Sequence, residues 1–467
     1  MNSTDIVILA AGKGTRMQSA LPKVLHKIAG KSLLAHVLDA ADSLPNSQKI
    51  VVTGHGSQQV RDSFVRSDCT FVEQPQQLGT AHAVQMALPH LRENATVLIL
   101  YGDVPLITPA TLKAMLNAVC DRQISLLTVN LQNPMGYGRI VRNQESEIDA
   151  IVEQKDANPD QLEITEVNTG VLALGAKQLQ AWLPLIDNNN AQGEYYLTDL
   201  IALARSQGYR VQSIQPKSAT EVEGVNNRVQ LSQLERAHQL ELAEQLMLSG
   251  TSLADPSRFD QRGQLTAGSD NYIDVNCLFE GDVSIGSGVH IGPNCHVTNS
   301  RIGDAVVIKA NTVIEDAVIG DHAVLGPFAR IRPGTVLGKN TKVGNFVETK
   351  KAYVGDGSKI NHLSYIGDAE LGAGVNIGAG TITCNYDGFG KYKTLIGEGA
   401  FIGSNTMLVA PVHIGNGAMT GSGSVITSDV DADALALARA PQVEKPGMAR
   451  KLRDILKAKK AKSQRSI

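Results

Sequence analysis

Aliphatic residues recur at every sixth position through the C-terminal half of this sequence, between about Val283 and Ile426. A period of six matches neither an α-helix, with 3.6 residues per turn, nor a half-buried strand, in which every second residue faces the core. It predicts short strands that turn at fixed intervals and direct one aliphatic side chain each towards a common core, as in a hexapeptide β-helix. The residues in phase are Val307, Val313, Ile319, Leu325, Ile331, Leu337 and Val343; then, after a slip of one position, Val354, Ile360 and Ile366; and finally Ile396, Ile402, Leu408, Ile414 and Ile426.

Glycine follows many of these aliphatic residues, and a three-sided coil of about 18 residues, six to a side, accounts for the spacing. Stacked coils would pair strand on strand, so that neighbouring coils satisfy the backbone and the core is an aliphatic column. The alternative, an irregular glycine-rich segment, gives no reason for so many aliphatic residues to stay in phase. The glycines are Gly320, Gly326, Gly338, Gly344, Gly355, Gly367, Gly397, Gly403 and Gly415.

Residues 1 to about 225 follow a different pattern, in which short apolar runs alternate with segments of helical periodicity. This alternation predicts an α/β domain of the Rossmann-like kind. Its ligand site is expected beyond the carboxyl ends of the strands. The predicted strands are Asp5–Ala10, Lys49–Thr53, Thr70–Glu73, Thr96–Tyr101, Ile124–Val129 and Asn168–Leu174, and the predicted helices include Leu33–Ser43, Thr80–Leu91, Pro109–Ala118 and Leu197–Ser206.

The segment between the two patterns, residues 227–249, has helical periodicity and ends at Ser249-Gly250, which predicts a long linker helix. A coiled-coil face for a partner is the alternative. The chain is thereby divided into an α/β domain over 1–226, a linker helix over 227–250 and a β-helix domain over 251–467. The end of the chain is basic from Lys445 to Arg465, with a short helix predicted over Met448–Leu456. We favour a solvated tail there, with anion binding as the alternative.

Composition limits the classes of function. A net charge of −3 over 467 residues argues against nucleic acid or a membrane surface as a partner, and no segment is long and apolar enough to span a bilayer. An odd number of cysteines without a CxxC pair favours reduced thiols, and hence a soluble cytoplasmic protein, over a disulfide framework or a zinc site. The cysteines are Cys69, Cys120, Cys277, Cys295 and Cys384.

The first predicted strand ends in the loop Leu9-Ala-Ala-Gly-Lys-Gly-Thr-Arg-Met17, with Pro22-Lys23 soon after. Glycines at 12 and 14 allow the backbone to approach an anion closely, so its N–H groups can bind phosphate oxygens. Arg16 and Lys23 add cations for the charge of a phosphoryl group. The loop lacks the GK[ST] ending of a Walker motif. Without the cations the glycine loop would be a weak signal, with a purely structural turn as the alternative.

With these residues the chain resembles the sugar-1-phosphate nucleotidyltransferases, which open with Gly-x-Gly-Thr-Arg followed by Pro-Lys. The resemblance implies that Gln74 and Gly79-Thr80 read uracil, and that Gly138, Glu153 and Asn168 hold the sugar. It also implies Mg²⁺ as a cofactor, bound by Asp103 and Asn226; on its own, Asp103 could instead cap the helix near Thr108. The residues implied to bind UTP or the sugar nucleotide are Leu9, Ala10, Ala11, Gly12, Lys23, Gln74, Gly79, Thr80, Tyr101, Gly102, Asp103, Gly138, Glu153, Asn168 and Asn226.

The six-residue array has two irregularities. His362 directly follows an inward-facing region, where an aliphatic column needs no histidine, and the loop from Cys384 to Thr394 interrupts the period. Insertions in repeat arrays often line a binding site. A lone histidine is usually structural or solvated, but here the context favours catalysis. Nearby polar residues are Arg332, Glu348, Lys350, Tyr365 and Asn376.

Over nearly its whole length the chain is similar to the bacterial bifunctional enzymes that join an N-acetylglucosamine-1-phosphate uridylyltransferase to a glucosamine-1-phosphate N-acetyltransferase. This resemblance implies a left-handed β-helix, a homotrimer formed through it, and sites in the clefts between chains. His362 would be the general base and Glu348 would orient its ring; Arg16 and Lys23 would act in the nucleotidyl transfer. The resemblance places glucosamine-1-phosphate on Arg332, Lys350, Tyr365 and Asn376, and acetyl-CoA on Ala379, Asn385, Tyr386, Ser404, Ser422 and Arg439.

Ser422 departs from the family pattern, in which we expect alanine; a contact made by backbone would tolerate the change. The implied reactions are acetyl transfer from acetyl-CoA to glucosamine-1-phosphate, then uridylyl transfer from UTP to give UDP-N-acetylglucosamine and pyrophosphate. Two alternatives stay open. One is a sugar-1-phosphate nucleotidyltransferase whose trimerising β-helix has no catalytic role. The other is a scaffold without activity.

Overall fold

The structure is a computed structural model that describes residues 3–64 and 68–464, with side chains to residue 462. By its contacts the chain forms two compact units. The first runs to Leu265 and includes Val275–Gly281, and the second consists of Thr266–Asp274 and the chain from Asp282 onward. The predicted combination of an α/β domain and a hexapeptide β-helix is confirmed.

The first unit is built on a twisted sheet in which the strand Thr4–Ala10 is central and wholly buried. It pairs in parallel with Ser47–Thr53 on one side and with Thr96–Tyr101 on the other. All six predicted strands are present, whereas Arg210–Ile214 and the hairpin strands Arg139–Arg142 and Ile148–Val152 were missed. The main path across the sheet is Arg210–Ile214, Gln123–Asn130, Glu166–Gly175, Thr96–Tyr101, Thr4–Ala10, Ser47–Thr53 and Cys69–Glu73, in which only Glu166–Gly175 runs antiparallel to its neighbours.

Helices cover both faces of this sheet, so alternate residues of the central strand enter two separate cores. Val7 and Leu9 pack on one side, against residues that include Val84. Ile6 and Ile8 pack on the other, with Leu38 among their neighbours. Burial on both faces explains why parallel strands read as continuous apolar runs. The helices are Leu33–Asp42, Ser57–Asp62, Thr80–Ala87, Pro109–Asn117, Pro159–Leu162, Ala176–Trp182 and Asp199–Ser206.

The predicted linker is an unbroken helix, Arg228–Leu248, whose first turn is capped by the Asn227 side chain. Leu234 on this helix is buried with Met17, Ile28 and other residues of the first unit. The helix therefore belongs to that unit, which extends beyond residue 226. Its buried residues are Leu234, Gln239, Ala243 and Leu246, while Val229, Leu240, Met247 and Leu248 stay exposed.

The second unit is a stack of coils whose strands form three faces, each strand pairing in parallel with its equivalent in the next coil. In chain order the first face contains Asn271–Ile273, His290–Ile291, Val307–Ile308, Val324–Leu325, Lys342–Asn345, Lys359–His362, Asn376–Ile377, Phe401–Ile402, Met419–Thr420 and Leu435–Ala436. The second and third faces contain His296–Thr298, Arg301–Ile302, Val313–Glu315, Val318–Ile319, Arg330–Ile331, Val336–Leu337, Glu348–Val354, Tyr365–Leu371, Ile382–Cys384, Thr394–Ile396, Met407–Val409, Val412–Ile414 and Val425–Ile426. The remaining strands are Thr251–Leu253, Phe259–Ala267 and Cys277–Ile285, with the short pair Lys27–Ile28 and Lys31–Ser32.

Each coil makes three turns, and in the coils up to Asp368 each turn contains a residue with positive φ. One coil has them at Gly357, Leu363 and Asp368, with φ of 70°, 51° and 48°. Three left-handed residues per coil produce the three-sided cross-section of these coils. In the later coils the second turn lacks such a residue after Val409, and the inserted loop replaces it after Cys384. We call the columns the first edge (Asn294, Asn311, Phe328, Phe346, Leu363, Gly380, Asn405, Gly423), the second edge (Asn299, Asp316, Gly334, Lys351, Asp368) and the third edge (Gly288, Ala305, His322, Asn340, Gly357, Gly374, Gly399, Gly417).

The coils are not all of one length, because one side of many coils has five residues instead of six. Val343 pairs with Leu325 in the coil before it and with Ile360 in the coil after it. By their numbers, the step from Leu325 to Val343 is one residue longer than the step from Val343 to Ile360. The predicted coil with six residues on every side is therefore correct for only some of the coils.

Two residues of the predicted aliphatic column are wrong by one position. Ile308 and Ile314 are fully buried, whereas Val307 and Val313 are only half-buried. The step from Ile314 to the next inward residue, Ile319, is one of the short sides. Counting six residues back from Ile319 therefore reaches Val313, which is the outward neighbour of the buried Ile314.

The inserted loop leaves the stack at the second edge, after the strand Ile382–Cys384. Ile377 pairs with Ile360 in the coil before it but with Ile402 in the coil after it, so the coil that contains the loop is much the longer of the two. The ends of the loop are joined by the Tyr392 N–H, which donates to the Asn385 carbonyl at 2.9 Å. The chain ends in a separate exposed helix, Met448–Gln464, longer than predicted, while Arg465 lies outside the described residues.

We predict that Ile360→Ala destabilises the second unit by about 2–5 kcal/mol, because Ile360 is fully buried between the equivalent residues of two coils. Val318→Ala is the control, since Val318 is 45% exposed on the outside of the same unit and should change stability by less than about 0.5 kcal/mol. Urea denaturation followed by circular dichroism compares the two. Equal effects would contradict the inward column.

Candidate active sites

A cavity of about 290 Å³ opens at the carboxyl ends of the central strands of the first unit. Gly102 N–H donates to the Leu9 carbonyl at 2.9 Å, which brings the ends of two parallel strands together there. Most of the predicted nucleotide residues line the cavity, and Gln77 and Glu194 join them. The lining residues are Leu9, Ala11, Gly12, Lys23, Val24, Gln74, Gln77, Gly79, Thr80, Ala83, Tyr101, Asp103 and Glu194.

Four predicted residues of this site form one charged cluster. The Lys23 ammonium contacts the Asp103 carboxylate directly and lies 3.4 Å from the Asn226 side-chain oxygen. That oxygen also accepts from the Arg16 guanidinium at 2.9 Å. A backbone hydrogen bond positions Asn226 beside Asp103, because the N–H of Val225 donates to the Asp103 carbonyl at 2.9 Å. Residues that are 210 positions apart in the chain, Arg16 and Asn226, therefore converge.

The interpretation of Asp103 as a helix cap is wrong. The side chain of Thr108 caps the helix Pro109–Asn117, and the Thr108 hydroxyl and N–H both donate to the Glu221 carboxylate. Asp103 instead presents its carboxylate to the cavity, with 17% of its side chain exposed.

Gln74 is 4% exposed, and two contacts fix the orientation of its amide. The amide nitrogen donates to the Gly79 carbonyl and lies beside Nδ1 of His82, both at 3.1 Å. Because the Gly79 carbonyl can only accept, the nitrogen is on that side, and the side-chain oxygen remains as an acceptor for a ligand. His82 was not singled out from the sequence, since nothing in its local pattern distinguishes it.

Gly79 is required by close packing. Its φ is 117°, and a Cβ there would lie 2.5 Å from the carbonyl oxygen of Tyr195. The segment that contains Tyr195 and Glu194 thus closes against the start of the helix Thr80–Ala87. Sequence reasoning missed Glu194 because it lies in a loop far along the chain, whereas Gln77 could have been suspected from its place between Gln74 and Gly79.

The predicted sugar residues lie together beside Tyr101. The Asn168 N–H donates to the Gly138 carbonyl at 2.9 Å, and Glu153 accepts a bond of 3.3 Å from the Thr198 hydroxyl. Burial raises the pKa of Glu153. Burial also raises the pKa of the Tyr101 phenol, an effect increased by the negative charges of Asp103 and Glu153. A neutral phenol therefore stands between the nucleotide cavity and the Glu153 carboxyl.

On the β-helix, predicted site residues from successive coils form a single line beside the first edge. The Leu363 N–H donates to the Asn345 carbonyl, and the equivalent bond recurs in each later coil: Gly380 to His362, Asn405 to Ala379, and Gly423 to Ser404, at 2.7–3.1 Å. The coil periodicity hence aligns His362 with three of the residues assigned to acetyl-CoA. We call the set Asn345, His362, Ala379, Ser404 and Ser422 the edge line.

Within one chain, the ring of His362 contacts Asn345, whereas Glu348 contacts Arg332. Nδ1 of His362 lies 2.8 Å from the Asn345 side-chain oxygen, and the two residues are in register on adjacent strands. With the Asn345 oxygen on this side, which can only accept, Nδ1 is the donor, and in a neutral ring Nε2 then has the lone pair. Glu348 instead accepts from the Arg332 guanidinium at 2.6 Å, which raises the pKa of Arg332. Asn345 precedes His362 by one coil, so coil spacing could have identified it.

A second group of charges lies at the second edge. The Asp368 carboxylate contacts the Lys350 ammonium at 3.4 Å and the Asn385 amide. Lys391, on the inserted loop, has a lowered pKa because it shares a hydrogen bond with Lys350 and lies in its positive field. Asp368 and Lys391 were missed by sequence reasoning, although Asp368 lies one coil before Asn385.

The structure does not bring all predicted residues of this second site together within one chain. Asn376 is on the first face, in register with Lys359 and Phe401. The Tyr386 hydroxyl donates to the Gly388 carbonyl of its own loop at 2.6 Å. Arg439 is exposed beyond the last coil.

Comparisons with known proteins agree with this architecture. The chain matches the model of the MobA-like NTP transferase domain over residues 6–156, that of the GMPPB C-terminal domain over 262–361, and that of the bacterial transferase hexapeptide (six repeats) over 393–428. Curated relatives named "Bifunctional protein GlmU" are 57% identical over 442 residues in Marinobacter nauticus, 58% over 438 in Cellvibrio japonicus and 56% over 440 in Stutzerimonas stutzeri. These alignments cover 95%, 94% and 94% of this chain and 97% of each relative.

We predict that Asn345→Ala changes the tautomer of His362, since the substitution removes the acceptor that fixes the proton on Nδ1. Nitrogen NMR of the imidazole should show a neutral ring with Nδ1–H in the unchanged protein and a loss of that signature in the variant. Glu348→Gln, which leaves Asn345 in place, serves as the control and should keep the tautomer. A variant ring indistinguishable from the original would show that Asn345 does not position it.

Proposed function

This chain belongs to the family of bifunctional GlmU proteins, and we propose that its two transferase activities are carried out at the two sites described above. The enzyme acetylates glucosamine-1-phosphate and transfers uridylyl from UTP to N-acetylglucosamine-1-phosphate. The observation that supports this placement is the hydrogen bond between Asn345 and His362 on the β-helix, since it leaves a basic nitrogen exposed at a separate site from the nucleotide cavity. The division into 1–226, 227–250 and 251–467 is accordingly proposed as a functional one.

In the acetyl transfer, we assign His362 as the general base. The amine of glucosamine-1-phosphate attacks the thioester carbon, Nε2 of His362 takes a proton from the amine, and the carbon–sulfur bond breaks to release the thiolate of coenzyme A. Asn345 holds the ring so that its lone pair is available. Once protonated, His362 is a hydrogen-bond donor through both nitrogens, and Asn345 continues to accept from Nδ1.

The phosphate of the acceptor sugar is assigned to Arg332 and Lys350. Each is held by a carboxylate, Arg332 by Glu348 and Lys350 by Asp368, so both cations are fixed in place before the phosphate arrives. Guanidinium and ammonium groups suit a phosphate dianion. Tyr365 is in register with Glu348 on the next coil and borders the same place.

Acetyl-CoA is assigned to the edge line. Successive coils rise by about 4.8 Å, so the three steps from His362 to Ser422 cover about 14 Å along the edge. A long, thin chain with amide groups fits such a line of small and polar residues. Small side chains at Ala379, Ser404 and Ser422 would let it approach the backbone closely, and Arg439 lies beyond the last coil for a phosphate.

In the uridylyl transfer, we assign Gly12, Arg16 and Lys23 to the phosphates. A phosphate oxygen of the sugar forms a bond to the α-phosphorus of UTP as the bond to pyrophosphate breaks, so the chemistry depends mainly on positioning and charge neutralisation. Asp103 and Asn226 would hold Mg²⁺, whose charge neutralises the phosphates when it is bound. Both oxygens contact one ammonium, which supports a position for a single cation between them. Two protein oxygens suit Mg²⁺, which keeps water and substrate oxygens as its other ligands.

Gln74 is assigned to base recognition. Its side-chain oxygen is the free acceptor of the amide, and uracil presents an N3–H donor that cytosine lacks. The sugar is assigned to the adjoining region of Gly138, Glu153 and Asn168.

We also propose that the acetyltransferase is a homotrimer with sites between neighbouring chains. The residues assigned to the acetyl transfer lie in three places: the first edge, the second edge and the first face. Two neighbouring edges are separated by about five extended residues, which is about 15 Å. One repeated contact in a closed ring of chains would bring these places together. Phe328, Phe346 and Leu363 support this assembly, since they are 50%, 56% and 63% exposed and form an apolar ridge on the first edge.

A cytoplasmic location is proposed on the state of the cysteines, none of which forms a disulfide in the part of the chain that the structure describes. Among the described helices, none combines the length and apolarity needed to cross a bilayer.

We predict that Asp103→Ala lowers uridylyl transfer by about a hundredfold or more and leaves acetyl transfer unchanged. The substitution removes the carboxylate that would hold the metal, and the charge neutralisation at the phosphates is lost with it. Asp121→Ala, at an exposed turn of the same unit, is the control and should keep both activities. Assays of each reaction with glucosamine-1-phosphate or its N-acetyl product separate the two. A folded Asp103→Ala enzyme without either activity would argue against two independent sites.

Mixing chains tests the shared acetyltransferase site. Trimers formed from His362→Ala and Asn385→Ala chains should recover part of the acetyl transfer. In a random equal mixture, about a quarter of the clefts have an intact His362 from one chain and an intact Asn385 from its neighbour. Each variant alone should be inactive in this reaction and retain uridylyl transfer. Subunit exchange is verified by native mass spectrometry of tagged chains. Verified exchange without recovery would contradict the shared placement, and a fully active monomer would contradict the trimer.

A further inference from the structure

The C-terminal helix Met448–Gln464 is amphipathic over its first half. Met448, Leu452, Ile455 and Leu456 are 39–63% exposed and recur at the spacing that places them on one side of a helix. No described residue outside the helix covers them. A solvated tail gives no reason for this arrangement, because solvated segments need no apolar stripe.

The same helix is strongly basic, while the rest of the chain is acidic. Seven lysines and arginines and one aspartate give the helix a charge of +6. Because the whole chain carries −3, the remainder carries −9. The small net charge of the whole chain was the reason for expecting no membrane surface as a partner. That small value arises because the positive charge of one exposed helix offsets the negative charge of the rest of the chain. The cations are Arg450, Lys451, Arg453, Lys457, Lys459, Lys460 and Lys462.

We propose that this helix docks the enzyme on an anionic lipid surface, lying in the plane of the headgroups. Such helices combine an apolar face, which enters the boundary between headgroups and acyl chains, with basic residues that attract anionic lipids. Both features are present in Met448–Gln464. The mode is a peripheral one, because the helix is too polar to cross the bilayer.

The apolar stripe also separates this proposal from its alternatives. A coiled coil with a second copy would continue the seam defined by Leu452 and Ile455, but its next positions are Lys459 and Lys462. Nucleic acid is bound through its phosphates by cations and does not need exposed aliphatic residues on one face. Lipid is the partner that uses the stripe and the charge together.

The test is flotation of the full chain with vesicles of equal parts phosphatidylglycerol and phosphatidylcholine, compared with vesicles of phosphatidylcholine alone. The enzyme should float with the anionic vesicles only, and added salt should weaken the association. Ile455→Asp should weaken it by about tenfold or more, because an aliphatic side chain that enters the lipid is replaced by a charge. Ala461→Asp is the matched control, since Ala461 lies on the opposite side of the helix from the stripe, and it should weaken binding by much less.

Three results would overturn the proposal. They are an absence of flotation with anionic vesicles, equal losses for Ile455→Asp and Ala461→Asp, and tight binding to single-stranded nucleic acid that Ile455→Asp leaves intact while vesicles are not bound. Both transferase activities should be unchanged in the two variants, since neither residue is assigned to a site. The outcome is therefore independent of where the two reactions take place.

Discussion

The parallel pairing of each coil with the next is the constraint on which the second half of this structure depends. Pairing fixes residues that are one coil apart in the chain at the same place on the surface, one layer higher. A functional line of residues can therefore be assembled from positions that are distant in sequence, and the edge line from Asn345 to Ser422 is such a line. The fully buried aliphatic residues hold the coils together, which leaves the outward positions free to carry chemistry.

The first unit reaches a comparable convergence by a different route. Its parallel strands end at one edge of the sheet, where Leu9 and Gly102 are joined by a backbone hydrogen bond. Asn226 reaches the same point because Val225 bonds to the backbone of Asp103. Asp103 and Asn226 are thus positioned by main-chain contacts, and Arg16 and Lys23 join them through their side chains.

Features that depend on neighbouring residues in the sequence could be predicted, whereas contacts between distant residues could not. The aliphatic period and the apolar runs are local, and they predicted both folds and six of the seven strands on the main path of the first unit's sheet. The Asn345 contact with His362 and the Asp368 contact with Lys350 are set by coil length. Because that length varies from coil to coil, a period of six alone does not identify which residues are neighbours. Glu194 and Tyr195 approach the nucleotide cavity through a loop, and no local pattern connects them with Gly79.

On two of the edges, the left-handed turns are occupied by residues that differ in how well they tolerate that conformation. Left-handed φ favours glycine and asparagine, and aspartate tolerates it. Asp368 meets this requirement, and the same turn directs its carboxylate to Lys350 and Asn385. Phe328 and Phe346 do not meet it, since bulky residues adopt positive φ only at a cost in free energy, and their rings are stacked at 5.4 Å on an exposed edge. Stacking of the two rings offsets part of that cost within the chain, but it leaves both rings half exposed. Their exposure supports the proposal that a neighbouring β-helix packs against this edge.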